Sequence, residues 1–260
     1  MTAGLAVVHA RTPLHRVARR PDPWAFPSWS FAGDDGTFGN RYDDPAGRYR
    51  VLYASSRRRG AFLETLARFR PDPAVLAALQ DIAPDAADSA DERPAAVAGV
   101  VPIAWLERRC IGAATPSGAF CDIAHSDSLA YLRRAMAAQL LRYGLEDLDA
   151  GDVRRRAPRA LTQELSRYVF EHGRDAGGAA LRGIRYRSRL GDDVENWAIF
   201  EGDAAINGDA HAIAPDDPGP RLGAHHARPD PRLTPTGAAT AGGALSGFRP
   251  ADTRGPGHAR

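Results

Sequence analysis

Three side chains that could bind or transform a small ligand follow one another near the start of the chain. Arg41 lies in "GNRYDD", a turn-rich stretch flanked by glycines, where a planar guanidinium can bind a phosphate through two parallel hydrogen bonds. Tyr53 lies on a predicted strand, "RVLYA", and Glu64 lies on the helix predicted after it, in "AFLETLAR". This order raises the hypothesis that an arginine, an aromatic ring and a carboxylate converge on one phosphate-containing ligand.

Each of these residues also has an ordinary structural explanation. Glu64 and Arg68 stand at positions i and i+4, so they share one helix face and can form a common stabilising pair. Tyr53 can be a core aromatic of its strand. Arg16, in "LHRV", has the same potential for phosphate as Arg41, or is a plain surface arginine.

Ser188 lies in "GIRYRSRL", a predicted strand near the end of the folded region. On a strand, Tyr186 and Ser188 face one side, whereas Arg185, Arg187 and Arg189 face the other. The plain interpretation is a half-exposed strand with a solvated arginine face.

The sequence offers no convincing metal site and no standard nucleotide loop. Cys110, Cys121 and His125 do not have the spacing of zinc ligands. There is no GxxxxGK[ST] phosphate loop, no GxGxxG turn and no GxSxG nucleophile elbow. We therefore expect that the protein needs no metal.

The composition is that of a globular protein with little net charge. The chain has 260 residues, its 34 basic residues are all arginine, and 32 acids leave a formal net charge of +2. Such a balance gives no long-range attraction to nucleic acid or to a membrane. The arginine triplets at 57–59 and 154–156 are therefore interpreted as solvated helix ends, and direct nucleic-acid binding is the least favoured function.

The cysteine content and the N-terminus favour the cytoplasm. Two cysteines in a chain of this length indicate a reducing compartment. The N-terminal apolar run of about six residues is shorter than a signal-peptide core of roughly seven to fifteen. No stretch approaches the roughly eighteen apolar residues of a membrane span, so no membrane partner is expected.

Strands and helices occur in separate runs, which predicts an α+β fold. Helical periodicity indicates helices over 126–144 and 160–173, and strand patterns indicate strands at 50–54, 183–190 and 196–202.

We predict one domain over residues 1–207, with its core at about 12–203 and a surface insertion at about 70–96. Proline and glycine dominate residues 208–260, which predicts a disordered C-terminal tail because such a segment cannot bury enough apolar surface to offset its ordering entropy.

Five of these stretches, taken in order, resemble the RES-domain family, which is named for its arginine, glutamate and serine. They are "LHRV", "GNRYDDPAG", "RVLYASS", "AFLETLAR" and "GIRYRSR…ENWAIF". "FCDIAHSDSLAYL" and "LTQELSRYVFEHG" also resemble the family, so the resemblance covers roughly residues 12–203. Asp43 stands where asparagine is usual, and the segment from Arg41 to Tyr53 is slightly longer than usual.

The resemblance implies an ADP-ribosyltransferase-like fold and an enzyme with NAD as its substrate. Studied members are toxins of toxin–antitoxin pairs, which implies a cognate antitoxin as partner; a homodimer is also compatible with the sequence. Members cleave the nicotinamide–ribose bond of NAD by hydrolysis or phosphorolysis, or they transfer ADP-ribose to a protein. The sequence leaves these acceptors open, and an inactive RES-like module that only binds a partner is the alternative from another class.

Carried over motif by motif, the resemblance also implies a role for each site residue. Glu64 is expected to be a buried carboxylate that stabilises the oxocarbenium-like cation developing on the ribose. Arg41 is expected to bind the pyrophosphate, Tyr53 to pack against nicotinamide or ribose, and Ser188 to fix a ribose or phosphate oxygen. The supporting NAD ligands are Arg68 and Arg16.

Overall fold

The computed structural model of the chain describes residues 4–70, 74, 101, 103–155, 158–202, 206–214 and 217. Its strands are β1 (Val7–Val8), β2 (Leu14–Arg19), β3 (Val51–Ser55), β4 (Arg109–Ala114), β5 (Phe120–Asp122), β6 (Gly183–Ser188), β7 (Gly191–Phe200) and β8 (His211–Ala212). Its α-helices are α1 (Arg58–Leu66), α2 (Ile103–Glu107), α3 (Ser126–Ala135), α4 (Ala137–Arg142) and α5 (Arg159–His172). Short 3-10 helices span Trp29–Phe31, Ala67–Phe69 and Asp152–Arg154. Most of the predicted insertion and of the predicted tail lies outside the described residues.

The strands form one eight-stranded sheet in the order β1-β5-β6-β7-β3-β2-β4-β8. Among the described strands, β5 and β6 run parallel and the other neighbouring pairs are antiparallel. The long strand β7 lies between β3 and β6, so Asn196 is opposite Ser55 on one side and Tyr186 on the other. A mixed sheet with helices packed against it confirms the predicted α+β class.

Helices α3, α4 and α5 contribute to the largest apolar core of the molecule. Leu132 and Leu165 are fully buried and belong to the same cluster as Ile184 of β6. The helix predicted over 126–144 is interrupted at Met136, where φ is −117° and ψ is 22°, although Met136 keeps the apolar face continuous. Within the described ranges, no helix is both long and apolar enough to cross a bilayer.

Helix α1 lies very close to the end of β3 because Gly60 has no side chain. A Cβ atom at Gly60 would stand 2.1 Å from the Ser55 Oγ, a distance that no side chain could tolerate without a shift. Phe62 and Leu66 are buried on one side of α1, whereas Glu64 is exposed. This packing sets the height of α1 above the sheet and therefore the position of Glu64.

The fold extends past residue 207, where the sequence analysis placed the end of the domain. Strand β8 pairs with β4 at the edge of the sheet, and Ile213 is 5% exposed in the core cluster beside α1. Asp217 forms an ion pair with Arg58. The predicted start of the tail at residue 208 is therefore wrong, because a few apolar residues that complete a sheet edge do not register in a segment dominated by proline and glycine.

Removal of residues 208–260 is expected to lower the free energy of unfolding by about 2 kcal/mol or more, because burial of an isoleucine such as Ile213 alone contributes about 1.5–3 kcal/mol. Removal of residues 221–260 is the matched control and is expected to leave the unfolding free energy unchanged within error. Urea unfolding followed by circular dichroism measures both. Equal stabilities of the two truncated proteins would contradict a structural role for β8.

Candidate active site

A cavity of about 660 Å³ opens beside the ends of β2 and β3, α1 and the turn that carries Arg41. Five of the six residues predicted for the site line this cavity: Arg16, Arg41, Tyr53, Glu64 and Arg68. Among its described lining residues, six are arginines and Glu64 is the one acid. The cavity therefore suits a ligand that carries negative charge, with one carboxylate available inside it.

Two side chains from the far end of the sequence hold the Glu64 carboxylate. Asn196 on β7 donates from Nδ2 to Glu64 Oε1 over 2.7 Å, and Ser188 donates from Oγ to the same oxygen. Glu64 is exposed and lines the cavity, which corrects the expectation of a buried carboxylate. Two donors fix the orientation of this carboxylate before any ligand binds.

Arg68 does not pair with Glu64, although the sequence placed the two on one helix face. No ion pair joins them in the described part of the chain, so the stabilising pair that the sequence suggested is wrong. The α-helix ends at Leu66, which places Arg68 in the following 3-10 turn, where its guanidinium lies 4.8 Å from the centre of the Phe69 ring. Arg68 therefore keeps its charge available on the cavity wall.

Ser188 is 3% exposed and is not among the residues that line the cavity. Its hydroxyl donates to Glu64 and accepts a hydrogen bond of 2.9 Å from the amide of Leu190, so its only hydrogen is already used. Donation from Ser188 to a ligand oxygen, as the sequence predicted, would need the bond to Glu64 to break. We propose instead that Ser188 acts through Glu64, as a positioning residue.

The hydroxyl of Tyr53 is fully engaged in holding the loop that precedes β3. It donates to Asp43 Oδ1 over 2.8 Å and accepts from the amide of Tyr42 over 2.9 Å. Burial, followed by the nearby Asp43 carboxylate, raises the pKa of Tyr53 well above its ordinary value, so the phenol stays protonated near neutral pH. Tyr53 therefore presents its aromatic ring to the cavity. This suits packing against a ligand rather than acid or base catalysis.

Asp43 ties the turn of Arg41 to the strand of Tyr53. Its Oδ2 accepts from both the amide and the side-chain Nδ2 of Asn40, each over 2.7 Å, while its Oδ1 accepts from Tyr53. Burial raises the pKa of Asp43 even though these hydrogen bonds favour its ionised form. An asparagine here would offer one acceptor oxygen to three donors, so the carboxylate suits this loop better.

Helix α5 and the turn before it hold the turn of Arg41 from the other side. Arg159 donates to the carbonyl of Gly39 over 2.7 Å, and Gln163 donates to that of Asn40 over 3.1 Å. Arg41 itself donates from Nη1 to the carbonyl of Val153 over 2.8 Å. The bond to Val153 and the contact with the Tyr42 hydroxyl use only part of the N–H donors of the Arg41 guanidinium, so some remain for a ligand.

Arg16 lies on β2, the neighbour of the strand β3 that carries Tyr53. Its Nε donates to the carbonyl of Pro23 over 2.7 Å and its Nη1 to that of Tyr53 over 2.8 Å. Burial lowers the pKa of Arg16 to about 10, which still leaves it positively charged at neutral pH. It is therefore a fixed cation of the cavity wall and not the plain surface arginine that was the alternative.

The cavity residues that were not chosen from the sequence as site residues include Arg155, Arg159, Arg189 and Asn196. The interpretation of the 154–156 triplet as solvated helix ends overlooked Arg155. Arg189 was placed on the outer face of a strand, but β6 ends at Ser188 after an irregularity in register, which turns Arg189 to the cavity. The sequence feature that could have identified Asn196 is its position as a polar residue at the start of the apolar run in "NWAIF".

The described ranges contain no cluster of three or more histidine, cysteine, aspartate or glutamate side chains that could hold a metal ion.

Replacement of Tyr53 by phenylalanine is expected to lower the free energy of unfolding by about 1–3 kcal/mol, because buried Asp43 loses a donor. Turnover of NAD, the substrate that the sequence resemblance implies, is expected to stay within about tenfold of the parent, because the ring wall remains. The matched control is Tyr49→Phe, whose hydroxyl pairs with the Ser166 Oγ away from the cavity lining. A folded Tyr53→Phe protein with turnover reduced about a thousandfold would show that the hydroxyl takes part in the reaction.

Comparison with known proteins agrees with the motifs. The model of the RES domain family matches residues 13–220. A search of curated proteins gives no significant match. Among solved structures, the chain is similar to the crystal structure of the M. tuberculosis MbcT–MbcA toxin–antitoxin complex, with 14% sequence identity, a TM-score of 0.46, and coverage of 84% of this chain and 89% of that chain. Because the family model spans most of the sequence, including every predicted site residue, the chain belongs to the RES domain family.

Proposed function

We propose that this protein is an enzyme that consumes NAD by breaking the bond between nicotinamide and ribose. The observation that carries the proposal is the Glu64 carboxylate, which Ser188 and Asn196 hold on the wall of an arginine-lined cavity. A fixed negative charge stabilises an oxocarbenium-like transition state, and arginines bind a pyrophosphate through charge-assisted hydrogen bonds.

Breaking this bond develops positive charge on C1′ of the ribose. Glu64 lies opposite that carbon in the proposed complex, and its charge stabilises the transition state more than the ground state. A preorganised group of this kind contributes roughly 3–4 kcal/mol in mutational tests. Nicotinamide leaves as a neutral molecule, so the reaction needs no strong general acid.

The arginines of the cavity supply the binding energy for the phosphates. Arg41 and Arg16 carry charge next to the Tyr53 ring, and Arg155 and Arg159 line the same cavity. Their summed charge exceeds the two negative charges of a pyrophosphate, which favours entry and retention of an anionic dinucleotide.

The acceptor of the ADP-ribosyl group decides between the members of this reaction class. Water gives ADP-ribose, phosphate gives ADP-ribose 1″-phosphate, and a protein side chain gives an ADP-ribosylated protein. Incubation of the pure protein with NAD, with and without inorganic phosphate and with a cell lysate, followed by mass spectrometry of the products, identifies the acceptor. NAD that remains intact in every mixture would refute the proposed function.

We also propose, on the strength of the RES resemblance, that the enzyme is a cytoplasmic toxin that a cognate antitoxin neutralises. Depletion of NAD harms the cell that makes the enzyme, so an open arginine-lined cavity requires control. Expression in bacteria with and without the protein encoded beside it tests this: growth arrest and loss of cellular NAD are expected only without the neighbour. Unaffected growth together with measurable NAD turnover would separate the enzyme from the toxin role.

A further inference from the structure

Asn196 is a buried polar side chain whose hydrogen bonding is incomplete. It is 2% exposed and is one of the residues that line the cavity. Its Nδ2 donates to Glu64 Oε1 over 2.7 Å, whereas its Oδ1 has no hydrogen-bond partner among the described residues. A buried acceptor without a donor is costly and native folds keep few of them, so this one at the centre of the sheet calls for a function.

Glu64 fixes which way the Asn196 amide faces. If the amide were turned over, its oxygen would meet the Glu64 oxygen with no hydrogen between them. Glu64 Oε1 already accepts two hydrogen bonds, from Asn196 and Ser188, whereas Oε2 accepts none from a described residue. Asn196 and Glu64, which are hydrogen-bonded to each other, therefore each keep one acceptor that lacks a donor among the described residues: Asn196 Oδ1 and Glu64 Oε2.

A ligand that completes these two acceptors must bring hydrogen-bond donors. Phosphate oxygens only accept, so the donors of NAD are its ribose hydroxyls, the carboxamide of nicotinamide and the amino group of adenine. The 2′- and 3′-hydroxyls of a ribose stand on adjacent carbons, so they can donate to acceptors on two side chains that are bonded to each other, as Asn196 and Glu64 are. The Glu64 carboxylate opposite C1′ already places that sugar at this end of the cavity.

We infer that Asn196 Oδ1 and Glu64 Oε2 together bind the vicinal diol of the nicotinamide ribose, which makes Asn196 a substrate-binding and specificity-determining residue. The inference rests on the proposed function, because it takes NAD as the ligand. A site built to bond a hydroxyl discriminates strongly against the analogue that lacks it, because a buried acceptor is then left unpaired.

Binding measurements with an uncleavable ligand separate recognition from turnover. Carbocyclic NAD, in which a methylene group replaces the ring oxygen of the nicotinamide ribose, cannot form the oxocarbenium-like cation. Its affinity, and those of its 2′-deoxy and 3′-deoxy forms, are measured by calorimetry on the unsubstituted protein and on Asn196→Ala. Asn207→Ala is the matched control, since Asn207 is exposed and does not line the cavity.

Asn196→Ala is expected to bind carbocyclic NAD about tenfold more weakly than the unsubstituted protein, and Asn207→Ala within about twofold. Removal of the hydroxyl that Asn196 bonds should weaken binding to the unsubstituted protein by a similar factor but leave Asn196→Ala nearly unaffected. Asn196→Asp keeps an acceptor oxygen and loses the donor to Glu64, so it should bind more weakly overall yet still distinguish the diol from that deoxy form.

The inference is overturned if Asn196→Ala weakens all three ligands by the same factor, since Asn196 would then act only through Glu64. If Asn196→Ala does not fold, the unsubstituted protein decides: affinity for both deoxy forms within about twofold of that for the diol also overturns it. A protein that consumes NAD while failing these tests keeps the proposed function. One that neither consumes NAD nor binds carbocyclic NAD loses the proposed function, and this inference with it.

Discussion

Replacement of Glu64 by glutamine is expected to lower kcat for NAD cleavage by about 10²–10³-fold while the protein stays folded. Glutamine keeps the shape of the side chain and an oxygen that can accept from Ser188 and Asn196. It removes the negative charge, which is the property that stabilises the developing cation. Affinity for NAD is expected to change less than kcat, since the arginines that bind the phosphates are untouched and the loss in binding is limited to the ribose hydroxyl that donates to Glu64 Oε2.

Steady-state rates of nicotinamide release and the urea midpoint are measured on the same preparations. The matched control is Glu164→Gln, a helical glutamate of α5 that pairs with Arg167 and does not line the cavity. Its kcat should equal that of the unsubstituted protein. A folded Glu64→Gln protein with the original rate would exclude Glu64 as the stabilising charge.

The sequence could predict those features of the site that depend on local pattern. Strand periodicity around Tyr53 and helical periodicity around Glu64 place both residues correctly, because alternation of apolar and polar residues follows directly from the geometry of the element. The run of separate strands and helices was likewise enough for the α+β class. Each of these conclusions needs only neighbours along the chain.

What the sequence could not predict is which distant side chains meet. The hydrogen bond between Glu64 and Asn196 depends on β3 and β6 both pairing with β7, and on how closely Gly60 lets α1 approach the sheet. The same limit explains the missed β8: its two residues gain stability from the edge of β4 and from burial of Ile213, not from their own composition. Pairing over such separations leaves no periodic signal.

Ser188 illustrates a third kind of limit. The motif identified the residue, but its contacts give it another task than the one expected, because the hydroxyl is already committed to Glu64 and to the amide of Leu190. A motif therefore reports that a side chain belongs to a site, whereas its partners decide whether it touches the ligand or orients a group that does. Arg41 differs from Ser188, because its partners in the structure leave N–H donors for a ligand.

Replacement of Arg41 by alanine is expected to weaken NAD binding by about 10–100-fold, because hydrogen bonds to charged groups contribute about 1.5–3 kcal/mol each. Arg41 uses Nη1 to bond the carbonyl of Val153, which fixes the guanidinium at the cavity wall, and its contacts with Val153 and the Tyr42 hydroxyl leave part of its N–H donors for a phosphate. Lysine at this position should rescue only part of the loss, because it keeps the charge but lacks the planar fork.

Calorimetric titration with NAD on the Glu64→Gln background measures affinity without turnover, and Arg57→Ala serves as the control. Arg57 is exposed at the start of α1 and does not line the cavity, so its loss should change affinity by less than about twofold. Loss of Arg41 also frees the carbonyl of Val153, so the unfolding midpoint is measured to separate loosening of the turn from loss of a phosphate ligand. If Arg41→Ala binds NAD as tightly as its parent, Arg41 only anchors the turn, and the phosphate ligands must be sought among the other cavity arginines: Arg16, Arg68, Arg155, Arg159 and Arg189.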